Sequence, residues 1–185
     1  MKKVLITLLL AALLPLLAAA QIRTYLSVGI GMSTFSSDLE DLTLVPSVGI
    51  MLKAYEHNGL SVTPAALYQQ RAQRTDIGSG DAITLRIHAL NIEVPIQYRA
   101  GSGVSVHAGY FHAIGLHSGT VVKLGSEKTS EKRYLGDDVG AMAGLGYDAQ
   151  RWAFRATYKH GLSDLKDGLK SRSFYLQFLY SIGAE

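Results

Sequence analysis

The chain has 185 residues, 48% of them hydrophobic and 18% charged, with a formal net charge of +3 and no cysteine. That length is one domain's worth, and a chain without cysteine has no disulfide framework, thiol nucleophile or Cys-based metal site. Lys2 and Lys3 account for most of the basic excess: without them 16 basic residues face 15 acidic ones, a balance that excludes nucleic acid as a partner.

Those two lysines open the segment "MKKVLITLLLAALLPLLAAAQ" and precede the apolar run Val4 to Leu17. Ala18, Ala19 and Ala20 then supply the small residues that a signal peptidase requires. The pattern predicts residues 1–20 as a cleaved secretory signal peptide and residues 21–185 as the mature domain. The apolar run is short for a membrane helix of about 20 residues and contains Pro15. No cysteine follows the alanines, so lipoprotein processing is excluded.

From residue 21 onward there is no sustained helical period. Apolar residues recur at every second position, the signature of strands with one apolar face. In chain order the apolar faces are Leu26, Val28, Ile30 and Met32; Val48, Ile50 and Leu52; then Leu60, Val62, Ala66 and Tyr68. They continue with Leu90, Ile92, Val94, Ile96 and Tyr98, and with Val104, Val106, Ala108 and Tyr110. The last three are Val139, Ala141, Ala143, Leu145 and Tyr147; Trp152, Phe154, Ala156 and Tyr158; and Phe174, Leu176, Phe178, Tyr180 and Ile182. Eight strands follow. Pro64 and Pro95 fall inside two of them and are read as bulges or bends, because proline cannot donate to a ladder.

The gaps alternate in length. Residues 56–59, 100–103 and 148–150 are tight turns, whereas 35–43, the stretch around 75–81, 125–137 and 163–170 read as longer polar loops. The expected fold is all-β: an eight-stranded antiparallel up-and-down transmembrane β-barrel with short periplasmic turns and longer extracellular loops. A soluble barrel of the lipocalin type has the same strand count but would place its apolar face inward. Here the second face carries Lys53, Arg71, Glu93, Arg99, Arg155 and Lys159, too many charges for a lipid-binding cavity. Tyr98, Tyr147, Trp152 and Tyr180 share the apolar parity next to short turns or a terminus, and are expected to form an aromatic girdle at the membrane interface.

Eight strands leave a lumen only wide enough for side chains to fill. Glu93, with Arg71, Arg99, Arg155 and Lys53 as its candidate partners, is expected to form structural ion pairs there. A gated polar path for small solutes is the alternative use of such a face. An acid–base role for Glu93 would need a second carboxylate nearby, and the strand centres offer none. His107, His112 and His117 lie five residues apart on the fifth strand, so neighbours point to opposite faces. His107 and His117 would share a face but stand about 33 Å apart at about 3.3 Å per residue, which defeats a shared metal site. No catalytic residue, metal or cofactor is expected.

Several stretches resemble one family. "GLSVTPAALYQQRAQ", with Pro64 and the Leu67-Tyr68 pair, looks like the third-strand signature of the PorT-like outer-membrane β-barrel proteins of the Bacteroidota. "LNIEVPIQYRAGSGVSVHAGYFHAIGL" resembles their next hairpin, and "DDVGAMAGLGYDAQ" their glycine-spaced sixth strand. "FRATYKHGLSDL" resembles the seventh, while the ending "SIGAE" lacks the usual final aromatic residue. The resemblance covers essentially the whole mature chain. It implies an outer-membrane barrel of a Gram-negative cell, exported through the Sec pathway, with a non-enzymatic structural or interaction role in the envelope. The partners it implies are outer-membrane lipid, the barrel assembly machinery during biogenesis, and other envelope or secretion proteins.

The alternative function is a lipid A deacylase-like hydrolase, since "FRATYKHGLSDL" brings His160 and Ser163 together at a strand end. The odd step of three residues turns their side chains to opposite faces of an extended strand.

Overall fold

The computed structural model describes residues 23–35, 42–78, 81–124, 127–132, 136–163 and 170–182. The expected signal peptide and most of the first and last expected long loops lie outside the described residues. Ten strands form among the described ones: β1 (Arg23–Thr34), β2 (Thr43–His57), β3 (Leu60–Val62), β4 (Ala65–Gly78) and β5 (Asp81–Arg99), followed by β6 (Val104–Leu124), β7 (Glu127–Lys132), β8 (Asp138–Asp148), β9 (Trp152–Gly161) and β10 (Arg172–Ser181). Every pairing is antiparallel. The ladder runs β4-β2-β1-β10-β9-β8-β6, and pairing of β5 with both β4 and β6 closes a ring through eight strands.

β3 and β4 together make the third expected strand, interrupted at Thr63-Pro64. The cause is two missing donors. Leu52 N–H donates to the Pro64 carbonyl at 2.8 Å and Thr63 N–H to the Pro95 carbonyl at 3.0 Å, but neither proline can return a bond. Pro64 thus sits at a strand break, and β2 shifts register nearby, between Ala54 and Glu56, where it pairs with β3. Pro95 differs from expectation: it stays in register, opposite Gly109, with no bulge.

A third proline loosens the wall. The β2–β4 ladder runs only from Met51 opposite Ala65 to Ser47 opposite Gln69. One step further it would set Pro46 opposite Gln70, where proline has no N–H to give the Gln70 carbonyl. Tyr175 Oη donates to that carbonyl instead, at 3.0 Å. Beyond it, Ser33 Oγ accepts from Ala72 N–H at 2.7 Å and donates to the Ala72 carbonyl at 2.9 Å. Side chains of β1 and β10 therefore take over where the β2 backbone fails. Tyr175→Phe should lower unfolding stability by about 0.5–1.5 kcal/mol, the usual net contribution of one hydrogen bond, since the Gln70 acceptor is only part-buried. Adding Pro46→Ala, which returns an N–H at the gap, should recover part of that loss in urea titrations of the micelle-held protein.

Two of the expected loops are hairpin extensions. β4 and β5 remain paired out to Gly78 opposite Asp81, and β7, within the expected 125–137 loop, pairs with the end of β6. A β5–β6 bulge also re-phases β6: His88 opposes His117, whereas Ala89 opposes Gly115. His107 is consequently buried at 3% while His117 is exposed, so the two do not share a face as simple alternation implies.

The apolar parity is outward throughout, with Ile30, Leu44, Ile96, Leu145 and Phe154 each more than half exposed. The opposite parity is packed. Its glycines allow close strand approach: a Cβ at Gly144 would collide with the Ala156 carbonyl and lie 2.6 Å from His107 Nε2.

Candidate functional site

Alternation sends the charged side chains of β4, β5 and β9 into a closed interior, where each requires a partner. Glu93, 1% exposed, forms an ion pair with Lys159, which also donates to Gln69 Oε1 at 2.7 Å. The Lys159 ammonium stands 5.6 Å from the Phe111 ring centroid and 5.0 Å from that of Tyr175, so aromatic faces cover what the carboxylate leaves open. Arg71 is ion-paired with Asp138, donates to Asn91 Oδ1 at 3.0 Å and to Ser171 Oγ at 2.9 Å, and lies over Phe111 at 5.1 Å. Ser171 donates to the same carboxylate.

The remaining candidates lie nearer the short-turn end. Arg155, buried, donates to Gln97 Oε1 and to Thr63 Oγ1 at 3.4 Å, and Gln97 in turn donates to Asp148. The interior also holds an apolar cluster of Tyr25, Met51, Ala65, Leu67, Ala153 and Leu179. Lys53 and Arg99 belong to the rim. Both bind Glu56, Lys53 at 3.0 Å and Arg99 at 2.7 Å. Of the five sequence-derived residues only Lys53 and Arg99 come together, on Glu56, and none of Arg71, Arg99, Arg155 or Lys53 is the ion-pair partner of Glu93.

Two participants escaped the sequence reading. Lys159 had the right parity but was not matched to Glu93, and Asp138 was read with a glycine-spaced strand. Asp138 shares the inward parity of Gly140 and Gly144, so continuing that alternation one step would have found it. It is a second buried carboxylate of the interior, already bound by Arg71, Ser171 and, at 3.1 Å, Ser163.

Burial pushes the Glu56 carboxyl up, but Lys53, Arg99 and Arg23 outweigh it and hold it below the ordinary carboxylate range. A depressed folded-state value gives stability that is present above the unfolded value of 4.5 and lost as pH falls through the folded one. Protection factors for amide exchange at the Asn58-Gly59 turn, corrected for the intrinsic rate at each pH, should therefore fall on acidification below about pH 4.5. Glu56→Gln should abolish that pH dependence.

The aromatic residues Tyr98, Tyr147, Trp152 and Tyr180 are 53%, 44%, 38% and 46% exposed. Tyr180 opposes Trp152 across the β9–β10 ladder, and the Tyr147 and Trp152 rings are 5.8 Å apart. His160 stacks on Tyr158 with ring centroids 6.5 Å apart, whereas Ser163 Oγ accepts from Val139 N–H at 2.9 Å and donates to Asp138. The two side chains are engaged in different places. Among the described residues no group of three His, Cys, Asp or Glu side chains is arranged to hold a metal ion.

Two solved structures share this architecture. One is the attachment invasion locus protein of Yersinia pestis, solved in complex with the heparin analogue sucrose octasulfate: 14% identity over 87% of this chain and 99% of that one, TM-score 0.56. The other is Neisserial surface protein A: 11% identity over 87% and 97%, TM-score 0.53. At such identities they speak for the fold alone. No curated protein sequence matches the chain significantly. The family model of the outer membrane protein beta-barrel domain, in contrast, matches residues 6–181. With its outward apolar strands and packed charged interior, the chain belongs to that family of outer-membrane β-barrels, and its place is the outer membrane of a Gram-negative cell.

Proposed function

We propose that this chain is an eight-stranded up-and-down transmembrane barrel with a non-enzymatic structural or interaction role in the cell envelope, of the PorT-like kind. In this reading the signal peptide is removed after Ala20, the short turns at Asn58-Gly59, 100–103 and 149–151 face the periplasm, and the long hairpins face outward. Tyr98, Tyr147, Trp152 and Tyr180 form the periplasmic-side girdle. Partners are the assembly machinery during biogenesis and other envelope or secretion proteins.

The observation that carries the reading is the interior packing. Glu93, Lys159, Arg71, Gln69 and Asn91 are all at most 2% exposed and hold one another across the barrel, as a structural plug does. A solute path would need those groups free. A hydrolase would need His160 and Ser163 to meet, and they are engaged elsewhere. In planar bilayers the purified barrel should give no discrete conductance steps, and deleting its gene should leave the acyl pattern of lipid A unchanged. Channel openings or an altered acyl pattern would sink the reading.

A further inference from the structure

The lipid-facing column of β5 does not stop at the apolar belt. Stepping by two from Tyr98 through Ile96, Val94, Ile92 and Leu90, it continues to His88, Arg86, Thr84 and Ala82, in unbroken register with β4. On the neighbouring strands the same face presents Arg74, opposite Thr84, and Val121 and Lys123, opposite Thr84 and Ala82. Arg74, Ala82, Thr84, Arg86, Val121 and Lys123 line one cleft of about 220 Å³, with buried Ala82 at its floor.

The charges of this cleft do not balance. Arg74 binds Asp76 at 2.9 Å, while Arg86 and Lys123 are exposed and make no ion pair among the described residues. Cations that share one cleft with a single carboxylate repel, so the arrangement is at its most stable with an anion between them. Its height says which anion. Arg86 lies four residues beyond Leu90, about 13 Å along the strand at about 3.3 Å per residue, and long basic side chains reach further while their stems stay on apolar surface. That is the headgroup level of the leaflet the barrel crosses.

We propose that this cleft is a phosphate-binding site for the phosphorylated glycolipid of the outer leaflet, with the Arg86 guanidinium and the Lys123 ammonium as the principal donors and the Thr84 hydroxyl as a third. Guanidinium offers paired donors to two phosphate oxygens, and ammonium a point charge. The cations face sideways along the membrane, which favours a lipid over a soluble anion arriving from above. The inference rests on the orientation proposed above.

The mature protein in detergent micelles, titrated with fluorescent bisphosphorylated lipid A and with its dephosphorylated form, tests the site. Wild type should prefer the phosphorylated lipid. Arg86→Gln and Lys123→Gln should each weaken that binding about tenfold, the scale of one charge-assisted bond. The charge-preserving pair Arg86→Lys and Lys123→Arg should retain most of it, with heat-modifiable gel mobility confirming that each variant is folded. Equal affinity for the two lipids, or no loss in the glutamine variants, overturns the proposal. Inorganic phosphate binding with the same variant dependence while lipid A does not bind would assign the site to a soluble anion and overturn the lipid source. Orientation is read separately by labelling Ser130→Cys, the sole thiol of that variant, with an impermeant maleimide on intact cells. Labelling only after lysis defeats the orientation and the outer-leaflet assignment together, whereas surface labelling with unchanged lipid binding defeats this inference alone.

Discussion

Glu93→Leu is expected to lower the unfolding free energy by about 3–5 kcal/mol, since it leaves the Lys159 ammonium buried without its counter-charge. Gln69 and the faces of Phe111 and Tyr175 remain, but one amide oxygen and two rings do not replace a carboxylate. Pairing the change with Lys159→Met removes the stranded charge, and stability should return to within about 1–2 kcal/mol of wild type, because an apolar pair of similar volume often matches a buried ion pair. Urea titration in micelles, with all four corners of the cycle measured, checks both statements. If Glu93→Leu alone is neutral, the ion pair does not hold the interior.

Arg71→Leu should be as damaging, again about 3–5 kcal/mol, because Asp138 is then left buried with hydroxyl partners only. Geometry separates this pair from the first. Arg71 reaches Asp138, Asn91 and Ser171 at once, binding β4 to β5, to β8 and to the segment before β10. Arg71→Lys should therefore recover only part of the loss, since an ammonium lacks the planar fork that serves several acceptors together. Arg71→Leu combined with Asp138→Leu should recover more than Arg71→Lys does. The opposite order would mean that charge, rather than bridging geometry, is what Arg71 supplies.

Face and parity were legible in the sequence because a strand has a period of two and an outer-membrane barrel inverts the usual polarity. Leu26 to Met32, Leu90 to Tyr98 and Phe174 to Ile182 read directly as outward columns, and Glu93, Arg71 and Arg155 as inward ones. Partnership was not legible. Glu93 and Lys159 are 66 residues apart and meet only because β5 and β9 face one another across the ring, which depends on tilt and stagger rather than on local pattern. β7, "EKTSEK", has no apolar alternation to reveal it and pairs through its backbone with the end of β6. The bulge beside His117 was equally hidden: one extra residue moved that histidine to the other face and left the composition unchanged.

The partial β2–β4 ladder bears on how the wall gives way under load. A barrel's first and last strands are the obvious place for it to part, yet β1 and β10 are paired from Tyr25–Ser181 to Thr34–Arg172. Between β2 and β4 the continuous ladder runs only as far as Ser47–Gln69, and beyond that point two side chains bridge the gap up to an isolated bridge between Leu42 and Gln73. Local opening follows the fewest backbone bonds. The fault line of this cylinder accordingly runs inside its first hairpins rather than along its closure, and amide exchange at 70–72 ahead of 176–179 would expose it.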